Sequence, residues 1–120
     1  MHLSFFVRSV MKIGEICRRY GLSGGEIQFY IRKGILPEPQ EDELSDEGLK
    51  RLGTVLLFRR AGLPDEKIEE YFGRDGSSCS GRRIRILREL RDRLLDEIHE
   101  REKLLGSLDC ILYELKQGGE

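Results

Sequence analysis

From Arg82 to Gln117 the chain has no proline, and its apolar residues return every three or four positions, at Ile84, Leu87, Leu94, Ile98, Leu105, Leu108, Leu112 and Leu115. These are the a and d places of a heptad, interrupted by Arg91 and Arg101, and they predict one long helix whose seam is built to meet another helix. At about 1.5 Å per residue that helix reaches roughly 50 Å, farther than a small globular block can cover. It therefore needs a partner, and a second copy of the same chain is the simplest. Leu90, Leu104 and Ile111 widen the stripe and extend the expected contact to a globular block, while Gly106-Ser107 is the expected site of a bend.

The rest of a 120-residue chain leaves room for one compact domain. With 21 basic against 22 acidic residues, net charge argues neither for nucleic acid nor for a membrane surface, so any basic patch has to be local. No run of eighteen apolar residues occurs, and the opening MHLSFFVRSV lacks a signal-peptide pattern, so a soluble cytoplasmic protein with no membrane partner is expected.

Within Met11 to Leu36, Ile13, Ile16, Cys17 and Tyr20 mark the inner stripe of a first short helix, which Gly21 ends. Ser23 and Glu26 form an S-x-x-E capping box, so a second helix is predicted to start after Ser23, with Ile27, Tyr30 and Ile31 inward and Gly34 as its stop. Two helices separated by Gly21-Leu22-Ser23 make a helix-turn-helix. The segment PEPQEDELSD from Pro37 reads as a short loop or clipped hairpin. Ser45 caps a third helix carrying Leu49, Leu52, Leu56 and Leu57 inward and closed by Gly62. Pro64 opens a brief fourth helix with Ile68, Tyr71 and Phe72 inward.

The order of these elements, and the segments Met11-Lys12-Ile13-Gly14-Glu15, Gly21-Leu22-Ser23, Phe29-Tyr30, Lys33-Gly34-Ile35-Leu36-Pro37, Leu49-Lys50-Arg51-Leu52 and Phe58-Arg59-Arg60-Ala61-Gly62, resemble the MerR family of bacterial transcription regulators. The resemblance implies a mainly α fold: a winged helix-turn-helix DNA-binding domain over residues 11–73, a hinge over 74–81, and a long antiparallel coiled-coil dimerisation helix over 82–117. Residues 1–10 form an N-terminal extension and 118–120 a tail. It further implies a homodimer that binds palindromic promoter DNA and distorts it between the half-sites. The expected DNA-binding residues are Arg18, Arg19, Gln28, Tyr30, Arg32, Lys33, Arg59 and Arg60. Gln28 is suited to an adenine edge and the arginines to phosphates. The opposing reading makes Phe29 and Tyr30 core residues and the basic residues a solvated face.

Two departures from the family pattern stand out. Gly25 occupies a place where relatives usually carry arginine, and the wing, Glu38-Pro39-Gln40-Glu41-Asp42-Glu43-Leu44, holds no basic residue. Acids there repel phosphates. They support a rival reading, a MerR-like interaction module with weakened DNA binding that pairs with a related regulator through the heptad helix. Cys17, Cys79 and Cys110 form no CxxC, and no cofactor is expected. Cys79 matches the first cysteine of metal-sensing relatives, which leaves a free redox-sensitive thiol and, as the minor alternative, a thiol-bound metal. His2 and His99 lie outside any pocket-forming pattern, so an enzyme is not expected.

Overall fold

The computed structural model describes residues 11–73 and 80–118. They divide into two compact units, one up to Arg83 and one from Ile84 onward. The first contains β1 (Met11–Lys12), α1 (Ile13–Tyr20), α2 (Gly24–Arg32), β2 (Glu43–Leu44), α3 (Asp46–Ala61) and α4 (Asp65–Phe72); α5 (Ser80–Lys116) supplies the second.

The strands form a small antiparallel sheet, Met11 opposite Leu44 and Lys12 opposite Glu43, with a Lys12–Glu43 ion pair at 3.7 Å. The wing between Gln40 and Glu43 is a two-residue hairpin in which the outer residues exchange both backbone hydrogen bonds, at 3.1 and 2.9 Å. Its central residues, Glu41 and Asp42, have φ of 53° and 64°. Two successive positive values are what a type I′ turn requires. The Asp42 carbonyl then accepts the Ile13 N–H at 2.9 Å, fastening the wing to the start of α1.

A core of Ile16, Leu22, Ile27, Tyr30, Ile31, Ile35, Leu36, Leu44, Leu52, Val55, Phe58, Leu63 and Ile68 fills the head. Gly48 permits close packing there, since a Cβ on it would lie 3.2 Å from Leu44 Cδ2 and 3.3 Å from Pro37 Cγ.

Three expectations need correction. Tyr20 is 46% exposed: it is the last residue of α1, Gly21 turns the chain at φ 69°, and Leu22 takes the inward place. Leu57 is 62% exposed, because the buried stripe of α3 runs through Gly48, Leu52, Val55 and Phe58, with Leu49 and Leu56 only flanking it. Ser80 and Gly81, assigned to the hinge, are already helical, and α5 ends at Lys116. The rest of the expected hinge, residues 74–79, lies outside the described residues, as do residues 1–10.

Along α5, Leu90 is buried whereas Leu104 and Ile111 are exposed. The helix is unbroken through Gly106-Ser107. Among the described residues no helix is long and apolar enough to cross a membrane.

Candidate nucleic-acid interface

Ser23 sets where α2 begins. Its Oγ accepts the Glu26 N–H at 3.1 Å while its own N–H donates to Glu26 Oε1 at 2.9 Å, which satisfies two donors that a helix start otherwise leaves open. Ile27, Tyr30 and Ile31 then face the core. That rotation leaves Gly24, Gly25, Gln28 and Arg32 exposed, with Gly24, Gln28 and Arg32 one turn apart on a single face. Neither glycine is demanded by the fold. Both are helical, a Cβ on Gly24 would meet nothing within 4 Å, and one on Gly25 would make an ordinary 3.7 Å contact with Ser23 Oγ.

The expected cations separate into two groups. Arg59 Nη2 donates to Glu26 Oε2 at 2.9 Å, so the acid that caps α2 also binds the end of α3. The Ser23 N–H first and the Arg59 guanidinium second hold the Glu26 carboxyl below its ordinary value, and Arg59 is shifted upward in return. Lys33 lies 3.9 Å from Glu69 and 5.7 Å from the Phe29 ring centroid. Arg19 is 3.5 Å from Glu15, one turn back on α1. These three are engaged within the head. Arg18, Arg32 and Arg60 form no ion pair among the described residues and are exposed.

Tyr30 leaves the set of contacts. Its ring is buried with 2% exposure, stacked edge-on with Phe29, and its hydroxyl donates to Asp65 Oδ1 at 3.1 Å. Burial, reinforced by the Asp65 charge, pushes its pKa up to about 12. The inward period of α2 that placed Ile27 and Ile31 takes Tyr30 with them, so the ring is closed off from any duplex.

Two side chains that fix this surface are not apparent from the sequence. Glu26 reads as a cap, but its bond to Arg59 joins residues far apart in the chain. Arg51 donates to Glu47 at 3.3 Å and to the Ile35 carbonyl at 3.2 Å, with its guanidinium 5.6 Å from the Phe72 ring. It is thereby bound to α3, to the segment after α2 and to α4. Beside the α1–α2 turn, a groove of about 670 Å³ runs to α3, lined by Tyr20, Leu22, Leu56, Leu57, Arg59 and Arg60. Of the thiols, Cys17 is half-buried, Cys110 is exposed on α5, and Cys79 lies outside the described residues.

Residues 11–74 match the family described as MerR HTH family regulatory protein. The chain belongs to the MerR family. It is 26% identical over 93 residues to the HTH-type transcriptional regulator AdhR of Bacillus subtilis (strain 168), an alignment covering 72% of this chain and 66% of that protein. The chain thus spans just under two thirds of that relative's length. It is 24% identical over 114 residues to a mercuric resistance operon regulatory protein of Bacillus cereus, covering 88% of this chain and 83% of that one. The crystal structure of the HTH-type transcriptional regulator SkgA from Caulobacter crescentus shares the fold, with a TM-score of 0.62, 22% identity, and coverage of 91% of this chain and 79% of the other. Of these MerR relatives, AdhR and SkgA are named as HTH-type transcriptional regulators and the Bacillus cereus protein as an operon regulatory protein; none is named as an enzyme. The MerR head here keeps the family's helix order while its wing tip presents Glu41 and Asp42.

Proposed function

We propose that this MerR-family chain is a homodimeric transcription regulator that works in the cytoplasm, binds a two-fold-symmetric promoter site through its heads and distorts the DNA between them. One observation carries the reading: the exposed face of α2 presents Gln28 and Arg32, and Arg18 and Arg60 flank the helix-turn-helix with no ion pair among the described residues. A helix-turn-helix uses its second helix to reach base edges and the surrounding cations to hold phosphates. Gln28 is the candidate reader, through an adenine edge, and Arg32 a guanine or phosphate contact. Arg19, Lys33 and Arg59 organise the surface instead. No cofactor is invoked.

The homodimer rests on α5, whose seam residues Ile84, Leu87, Ile98, Leu105, Leu108, Leu112 and Leu115 are all exposed in the single chain, with Leu94 partly so. A helix with such an apolar stripe gains by pairing.

The test is an anisotropy titration of the full chain against duplexes from the region flanking its own gene, at low salt. Saturable binding, weakened about tenfold or more by Gln28→Ala on the preferred sequence, is the expected result. Absence of binding at low salt defeats the reading. Loss with Arg32→Ala that is even across sequences marks a phosphate contact, and loss at one base position marks a reader.

A further inference from the structure

We infer that Arg91 and Arg101, the residues that interrupt the apolar seam of α5, fix the register of an antiparallel pairing with a second copy of the chain, by meeting the partner's Asp109 and the partner's Glu97. The inference rests on the homodimer reading above and deepens it by naming the alignment and the residues that select it.

Arg101 sits in a shallow groove of about 450 Å³ along α5 with Leu94, Glu97, Ile98, Glu102 and Leu105. Glu97 lies one turn earlier on the same helix, yet among the described residues Arg101 forms no ion pair, and neither does Arg91. Both charges are therefore open to a partner, in a stripe that is otherwise apolar and, apart from the partly covered Leu94, exposed.

Pairing geometry then discriminates. A parallel, in-register pair sets Arg91 against the partner's Arg91 and Arg101 against the partner's Arg101, two like-charge contacts in the seam. In an antiparallel pair that places Ile84 opposite the partner's Leu115, every seam residue has an opposite number. Leu87 meets the partner's Leu112, Leu94 meets the partner's Leu105, Arg91 meets the partner's Leu108, and Arg101 meets the partner's Ile98. Asp109 follows Leu108 and Glu97 precedes Ile98, so each arginine has an acid at the flank of its layer.

Sliding by one heptad destroys this. In one direction Arg91 falls opposite the partner's Arg101, and Leu112 and Leu115 lose their partners. In the other, Ile84 and Leu87 go unpaired and Arg101 falls opposite the partner's Leu105, beside Leu104 and Gly106, with no acid adjacent. A charged residue in a seam costs stability in every register and is least costly where it is paired, which is how such residues select one alignment.

Analytical ultracentrifugation of the full chain without DNA tests this, with circular dichroism to check helix content. Arg101→Glu alone and Glu97→Arg alone are each expected to weaken dimerisation by about a hundredfold, from a charge left unpaired or opposed in the seam. The double variant Glu97→Arg/Arg101→Glu is expected to recover a homodimer, because it restores opposite charges across the antiparallel layer; a parallel pair has like charges at position 101 before and after Arg101→Glu and so predicts no loss in that single variant. Mixing the two single variants is expected to give a heterodimer, which separates pairing between chains from the effect of Glu97 and Arg101 on their own helix. A wild-type chain that stays monomeric removes the homodimer reading and this inference with it. A wild-type dimer whose double variant stays apart, or whose Arg101→Glu variant dimerises unchanged, removes the register alone.

Discussion

Tyr30 shows how one side chain couples the second helix of the motif to the rest of the head. Its buried ring fills core, while its hydroxyl spans from α2 to Asp65 at the start of α4. Tyr30→Phe keeps the ring and deletes the bond, leaving Asp65 exposed enough to be rehydrated, so unfolding in denaturant is expected to show a loss of about 1 kcal/mol. The pH dependence has a definite sign. Above pH 10 the unfolded tyrosine loses its proton while the folded one holds it until about 12, so this contribution is complete below pH 10 and is lost as pH rises towards 12. The difference in stability between wild type and Tyr30→Phe should therefore shrink across that window and stay flat near neutrality. Glu26 behaves oppositely. Its folded pKa is depressed by the Ser23 N–H and by Arg59, so the capping box and the Arg59 bond contribute above the ordinary value of 4.5 and are lost as pH falls through the lower folded value. Unfolding of wild type and Glu26→Gln followed from pH 6 to pH 3 should converge at the acid end; parallel curves would show that Glu26 has no preferential stake in its charged form.

At the scale of elements, the wing is the place where chain and turn geometry disagree. A two-residue hairpin with both central φ values positive favours Asn-Gly, and here Glu41 and Asp42 adopt that conformation, which glutamate resists and aspartate tolerates better. Replacing the pair by Asn-Gly is expected to raise stability by about 0.5–1 kcal/mol, measured as a shift in the denaturant midpoint with an unchanged slope. The same conflict explains why the sequence left a loop and a clipped hairpin equally open: its strongest short-range hairpin signal is missing, and β1 and β2 are two residues each, too short for any alternation to register. Where a local chemical signal exists, the reading from sequence holds. Ser23 and Glu26 placed the start of α2, and Gly21 and Gly62 placed the ends of α1 and α3, because caps depend on neighbours only. Faces decided by tertiary packing were less legible. Four leucines suggested the inner side of α3, but the side that meets the core is set by Val55 and Phe58, and Leu57 is left in solvent. Across the candidate DNA surface the sequence could not tell internally paired cations from open ones, since only the fold brings Glu26 to Arg59 and Glu69 to Lys33.

For the whole molecule, that division of cations becomes a number. Each phosphate neutralised on B-DNA contributes about 0.9 to the slope of log affinity against log salt. If a dimer engages a site with Arg18, Arg32 and Arg60 of both heads, and Arg19, Lys33 and Arg59 stay in their internal pairs, the slope should be roughly −5. Should those pairs open on binding, twice as many cations take part and the slope approaches about −11. The acids at the wing tip shift affinity by repulsion that salt screens, which makes the apparent slope shallower still, so a value near −5 or below it in magnitude identifies internal pairing. Dimerisation enters the same measurement. Leu105→Glu places a charge in the exposed seam of α5, far along the chain from every candidate DNA contact. If both heads act through one assembly, this variant should bind a two-site duplex with about half the slope and much lower affinity, while retaining the wild-type response to Gln28→Ala. Loss of avidity follows because the second head no longer binds at the high effective concentration that the dimer supplies. A Leu105→Glu chain that keeps the full slope and affinity would mean that the heads do not depend on α5 pairing to act together.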